Sequence, residues 1–247
     1  MPFCNVFGIR VAATTPEAAV NTVCRYLPKW RGRYVTFVNV HAVCTAQDKA
    51  SYLRAQQGAV LSLPDGFPVA LYAKRNGYPK AQRIAGPDFM EAVFKKSAGG
   101  KYRHYFYGSS EKVLHALQEH LEREYPGIVI AGTYAPPRLK SFSKERMERD
   151  IERINETAPD FVWIGLGAPK QEYWMQEAAG RVNGLMLGVG AGFDFHAGTV
   201  KRAPEWMQRI GMEWVFRMLQ EPGRLIPRYS KTNIRFLKMW IKEKVCG

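Results

Sequence analysis

With 247 residues, 46% of them hydrophobic, the chain can bury the core of one α/β domain with a small appendage, without disulfide or metal staples. Its four cysteines (Cys4, Cys24, Cys44, Cys246) are scattered and form no CxxC pair, which argues against a disulfide or zinc scaffold and for free thiols in a reducing cytoplasm. The formal net charge of +14, with a pI near 9.7, calls for an anionic partner. The first residues lack the pattern of a secretory leader, and no run approaches the roughly 20 apolar residues that span a bilayer, so a soluble or peripheral protein is expected.

Thr15-Pro16-Glu17 predicts a helix start, with Thr15 as N-cap and Pro16 in the first turn. The apolar runs YVTFVNV (34–40) and AVLSL (59–63) are short and rich in β-formers, hence buried strands. Asp65-Gly66 breaks the second, and FPVALYAKRNG follows as helix. Gly86-Pro87-Asp88 opens the helix FMEAVFKKSAG. HYFYG (104–108) reads as a strand, and Ser109 and Ser110 cap an amphipathic helix through Tyr125. GIVIAGTYA (127–135), a charged helix from about Ser143 to Thr157 and DFVWIGLG (160–167) repeat the alternation. The helix QEYWMQEAAGR leads to a last strand, LMLGVG (185–190).

Such alternation predicts a Rossmann-like α/β fold, a mostly parallel sheet with helices on both faces. After Gly198 the chain reads as helices punctuated by Pro204, Pro222 and Pro227. The expected division is an α/β catalytic domain over 1–200 and a helical, basic C-terminal appendage over 201–247. The appendage holds 11 Lys and Arg against 4 Asp and Glu, a net +7, which is half of the chain's excess.

Ligands of an open parallel sheet bind beyond the carboxyl ends of its strands. Asn39-Val40-His41, Pro64-Asp65-Gly66, Gly108-Ser109-Ser110, the loop from Gly165 to Glu172 and the loop from Gly188 to Asp194 all fall at such ends. Glycines there admit a ligand to the backbone, and free N–H groups at a helix start favour phosphate; a tight turn or a packed crossing explains each loop equally well. No GxGxxG follows the first strand, and Walker A and GxSxG are both absent, which sets aside dinucleotide oxidoreductase, P-loop and serine-elbow chemistry. Asp65 reads either as a turn residue of an Asp-Gly pair or as a general base at the end of a buried strand.

The segments LPDGFPVALYAKRNG, RIAGPDFM, YFYGSSEKV, IGLGAPKQEYWM, GVGAGFDFHAGTVKRAPEWMQRIGMEW and FRMLQEPGRLIPRY occur in this order between Val35 and Tyr229. In them the chain resembles the WecG/TagA/CpsF glycosyltransferases, which include GumM-type enzymes of exopolysaccharide synthesis. The resemblance implies inverting transfer of a sugar of glucose or N-acetylmannosamine type. It implies a UDP-sugar as donor, an undecaprenyl-diphosphate-linked saccharide as acceptor, and no metal or other cofactor. The absence of any Asp-x-Asp agrees with the last expectation.

By the same resemblance Asp65 is the catalytic base, and Asn39 and Gln171 lie around the sugar and nucleotide. Arg83 stands near substrate phosphate or holds its loop; Asp194 contacts the nucleotide or caps the next turn. Gly108, Gly165, Gly167 and Gly190 give the substrate access to backbone, and Arg217, Arg224 and Arg228 are candidates to grip a diphosphate with their bidentate forks. Many relatives carry Thr where this chain has Phe37; Thr36 faces the other side of the strand and cannot replace it.

The resemblance further implies a tail that closes over the site and seats the protein on the inner face of a bacterial plasma membrane. From Ser230, Ile234, Leu237, Trp240, Ile241 and Val245 fall along one helical side, with Arg235, Lys238, Lys242 and Lys244 on its flanks, as an anionic membrane surface would require. A helix packed on the domain with a solvated basic face is the plainer alternative. An exposed tail groove would favour a homo-oligomer before membrane contact. The rival for the whole chain is a basic nucleic-acid-binding protein, permitted by charge and aromatics but lacking any recognised motif, so no nucleic acid is expected.

Overall fold

The computed structural model describes residues 1–137, 143–209, 212–220 and 222–246, apart from the side chains at 205, 209, 217, 224–229 and 246. The chain opens with an antiparallel hairpin, β1 (Phe3–Val6) and β2 (Ile9–Ala12), around a tight turn at Phe7-Gly8. Nothing in the sequence reading anticipated it. Helix α1 (Pro16–Tyr26) starts as expected, the Thr15 hydroxyl accepting the Ala18 N–H at 3.2 Å.

Strand β3 (Tyr34–Val38) stops one residue before Asn39, which caps α2 (Val40–Asp48). This helix and α3 (Ala50–Gln57), both missed from sequence, separate β3 from β4 (Leu61–Pro64). There follow α4 (Phe67–Arg75), α5 (Gly86–Ser97), β5 (Arg103–Gly108), α6 (Glu111–Glu124), β6 (Val129–Tyr134) and α7 (Lys144–Glu156). Then come β7 (Phe161–Gly165), α8 (Lys170–Ala178), β8 (Leu185–Gly188) and α9 (Gly192–His196).

The six strands from β3 to β8 form one parallel sheet in the order β4-β3-β8-β7-β5-β6. A parallel sheet survives only with both faces covered, which is why its strands read as continuous apolar runs. Period-two alternation divides them. Val35, Phe37, Trp163 and Leu187 pack under α1, α5 and α6, while Tyr34, Ile164 and Met186 pack under α7 and α8. The α/β architecture expected from the alternation is the one observed.

The appended segment is α10 (Glu205–Arg209), α11 (Glu213–Gln220) and α12 (Pro222–Cys246). Two expectations for it change. Pro227 does not separate helices, since α12 runs through it. Nor does Trp240 share a face with Ile234. Phe236, buried, and Trp240 turn inward with Tyr72 and Phe7, ring centroids 5.2 to 6.3 Å apart. Ile234, Leu237, Ile241 and Val245 occupy the opposite side, each more than half exposed. A helix advancing about 100° per residue puts Phe236 roughly opposite this stripe and Trp240 on its flank, so the amphipathic pattern was real but double.

Three further contacts tie α12 down. Tyr72 donates its hydroxyl to Glu243 at 2.5 Å, Arg235 pairs with Asp48 at 2.6 Å, and the Cys44 thiol meets the Thr232 carbonyl at 3.4 Å. Among the described residues no helix is long and apolar enough to cross a membrane. Truncating Phe236 to Ala should remove about 3 kcal/mol, the usual cost of emptying a buried phenyl site. Denaturant melts would show the loss, and limited proteolysis should cut α12 first.

Candidate active site

Strand register decides what meets at the carboxyl edge of the sheet. Val38 pairs with Pro64, Thr36 and Ile164 both pair with Gly188, and Gly108 pairs with Gly165. The loops after β3, β4, β7 and β8 therefore open at one level, and a cavity of about 320 Å³ lies among them. Asn39, Asp65, Arg83, Gln171, Gly167 and Gly190, scattered over 150 positions of sequence, line it together.

The Asp65 N–H continues the ladder past β4, donating to the Val38 carbonyl at 2.8 Å. The chain then turns sharply at Gly66, whose φ of 97° suits glycine and few other residues, and enters α4. Asp65 is thus held at the last ordered step of a buried strand. Asn39 sits in the adjacent loop, where its Oδ1 accepts the Ala42 N–H at 3.0 Å and caps α2.

Arg83 is bound to a carboxylate of the protein. Its Nη2 pairs with Glu213 at the start of α11, and its Nη1 lies 3.8 Å from Asp88 of α5. Arg202 closes the ring of charges, 2.5 Å from Asp88 and 3.5 Å from Glu213. This four-membered network fastens the appended helices to the cavity wall, so of the two sequence readings of Arg83 the structural one has a visible partner. Glu213, Trp214 and Asn233 complete the wall from the appended segment.

Three predicted residues do not line the cavity. A Cβ on Gly108 would lie 2.6 Å from the Gly165 backbone, and one on Gly165 would lie 2.7 Å from the Phe193 ring. Both glycines are explained by close packing at this edge of the sheet. Asp194 lies on α9, where its carbonyl accepts from Thr199 N at 3.1 Å and Val200 N at 3.2 Å and closes the following turn. Gly190 lines the cavity, but its N–H donates to the Ile164 carbonyl at 3.3 Å, so it offers room there, not a donor. The side chains of Arg217, Arg224 and Arg228 lie outside the described residues.

Phe37 faces the cavity and meets Phe89 edge-on at 5.5 Å, while Thr36 is buried on the other face with its hydroxyl on Ser62 at 3.0 Å. Leaving Thr36 out of the site agrees with this geometry. His41 and Glu172, both in the wall, fell inside clusters that the sequence marked but were given no role there, and Glu213 was missed. A buried carboxylate beside Gln171 has no signature of its own in a loop-to-helix stretch. Among the described residues no group of three or more His, Cys, Asp or Glu is placed to hold a metal ion.

The chain is a glycosyltransferase of the WecG/TagA/CpsF family, whose profile matches residues 4–247, and its cleft lies at the carboxyl edge of the parallel sheet. Three relatives are all named N-acetylglucosaminyldiphosphoundecaprenol N-acetyl-beta-D-mannosaminyltransferase. That of Bacillus spizizenii W23 is 32% identical over 229 residues, covering 90% of this chain and 86% of the relative. Those of Bacillus subtilis 168 and Staphylococcus aureus MW2 are 29% and 28% identical, covering 85% and 78% of this chain and 82% and 74% of their own lengths.

Replacing Glu213 by Ala leaves Arg83 and Arg202 with Asp88 alone. Because these groups are partly solvated, the expected loss is about 1 kcal/mol. It should appear as a lower melting temperature, and as faster proteolysis within 201–247 than elsewhere.

Proposed function

We propose that the chain transfers a hexose-type sugar from a UDP-sugar to an undecaprenyl-diphosphate-linked saccharide, with inversion and without a metal, in the synthesis of a bacterial exopolysaccharide or cell-surface glycan. The observation that carries this is the convergence of Asp65, Asn39 and Gln171 on one cavity at the sheet's carboxyl edge, in a chain of this family. The names of the relatives favour N-acetylmannosamine as the sugar and a diphosphoundecaprenol-linked N-acetylglucosamine as the acceptor.

In this reading Asp65 takes the proton of the acceptor hydroxyl as that oxygen attacks the anomeric carbon. Attack from the face opposite UDP breaks the bond to the diphosphate and inverts the centre. The family assignment gives the chain's positive charge a phosphate-bearing substrate, where composition alone had allowed nucleic acid. Arg83 is engaged by Glu213, so the cations that steady the leaving diphosphate are assigned to the appended segment, with Arg217, Arg224 and Arg228 as candidates. Closure by that segment keeps water from the donor.

The outward stripe of α12 supports a peripheral seat on an anionic membrane. Four exposed aliphatic side chains lie along it, with Lys231, Lys238 and Lys242 exposed on the same helix. Each surface-proximal cation adds on the order of 1 kcal/mol to such binding.

A panel of UDP-sugars with short-chain lipid-diphosphate-sugar acceptors tests the reaction. One donor should be used, EDTA should leave the rate unchanged, and Asp65→Asn should lower kcat by about 10²–10⁴. Full activity in Asp65→Asn would remove the base from the mechanism. Vesicle sedimentation tests the seat: a Leu237→Glu/Ile241→Glu variant should bind anionic vesicles at least about tenfold more weakly, and added salt should weaken the wild type.

A further inference from the structure

Gln171 enters the cavity wall from the first turn of α8 with both of its donor positions fixed. Its Nε2 carries two protons. One goes to Glu172 Oε1 at 2.9 Å and the other to the Gly188 carbonyl at 2.9 Å. Reversing the amide would bring its oxygen against the Gly188 carbonyl, which has no proton to give. The chemistry of this neighbour therefore dictates the orientation.

What remains is Oε1. The side chain is only 5% exposed, and the oxygen has no partner among the described residues. It lies 3.6 Å from where a Cβ on Gly190 would stand, and both residues line the cavity. A buried acceptor without a proton is unfavourable in the empty protein and becomes satisfied when a ligand supplies one.

Glu172 is itself fixed from behind. It is 2% exposed and lies within electrostatic reach of the buried Tyr52 hydroxyl, which burial first and then Glu172 hold in its protonated form. Tyr52 in turn accepts from Gln56 Nε2 at 2.9 Å. Four buried polar side chains, Gln56, Tyr52, Glu172 and Gln171, are thus packed behind one unpartnered acceptor in the cavity wall.

We infer that Glu172 is a positioning residue that aims Gln171 Oε1 as a receptor for an O–H or N–H of a substrate. The site reads donors only. A substrate presenting an ether or carbonyl oxygen there would meet lone pairs without a proton, so an epimer or deoxy analogue lacking the hydroxyl is selected against. Naming that substrate rests on the transferase reading, with the UDP-sugar and the lipid-linked acceptor as its two sources.

The aim is testable without substrate. In ¹⁵N side-chain spectra of the full-length protein, the Gln171 NH₂ pair is assigned by its loss in Gln171→Met. Both protons should exchange at least about tenfold more slowly than those of a solvent-exposed glutamine, because both are buried and bonded. Glu172→Leu should abolish that protection, and Glu172→Gln, which keeps an oxygen acceptor, should recover most of it.

Kinetics then identify the source. Gln171→Met and Glu172→Leu should raise KM for the same substrate by about tenfold, the scale of one hydrogen bond left unmade, with a smaller change in kcat. A shift in the UDP-sugar KM places the donated proton on the donor, and a shift in the lipid KM places it on the acceptor. Unprotected Gln171 protons in the wild type, or unchanged KM values in folded Gln171→Met, would overturn the inference. A wild type that transfers nothing would overturn the transferase reading, and the amide spectra would still decide this one.

Discussion

The structure depends on a parallel sheet buried on both faces. Helices cover Val35, Trp163 and Leu187 on one side and Tyr34, Ile164 and Met186 on the other, so a polar group facing either side must find its partner inside. Thr36 does so with Ser62, and Trp163 does so through its Nε1–H on His104 Nδ1 at 3.1 Å. Exposed chemistry is pushed to the strand ends, and parallel register puts the carboxyl ends of four strands at one level. The cleft at that edge follows from the sheet.

The second determinant is the appended segment. Its helices supply part of the cavity wall and are fastened at two separate places. The first is the charge network of Arg83, Asp88, Arg202 and Glu213; the second is the aromatic contact of Phe236 and Trp240 with Tyr72. The two anchors differ in kind: salt screens ion pairs that are partly solvated and leaves aromatic packing in place. The α12 end also carries the solvated Arg235–Asp48 ion pair, so high ionic strength weakens both ends while the aromatic anchor of α12 stays.

How much was legible varies with how local the signal is. The central strands were readable because double-sided burial makes them continuous apolar runs, and the caps at Thr15 and Ser110 because a capping side chain lies within three residues of its partner. The hairpin was not, since its turn is Phe7-Gly8, without the Asn-Gly or Asp-Gly that marks such turns. Helices α2 and α3 were hidden because the chain leaves helical geometry at Lys49, splitting one weak pattern into two shorter ones. Asp65, Asn39 and Gln171 were legible through family motifs, and their meeting in one cavity depends on strand register. Gly108 and Gly165 show the ambiguity of glycine, which serves a ligand and a neighbouring backbone in the same sequence dress. Glu172 and Glu213 owe their places to partners far away in the chain or buried beneath them, which no local pattern encodes.

Asn233 and Ile234 are consecutive in α12, yet one lines the cavity and the other belongs to the outward aliphatic stripe. Wall and stripe are therefore two sides of one rod, separated by no more than a helix diameter of roughly 10 Å. The same rod rests along α2, whose first residue follows Asn39 at the cavity floor. Tilting or sliding the stripe moves the wall by the same amount, with no hinge between them to absorb it. In mechanical terms the outer surface of the appended helix and the inner surface of the cleft form a single lever.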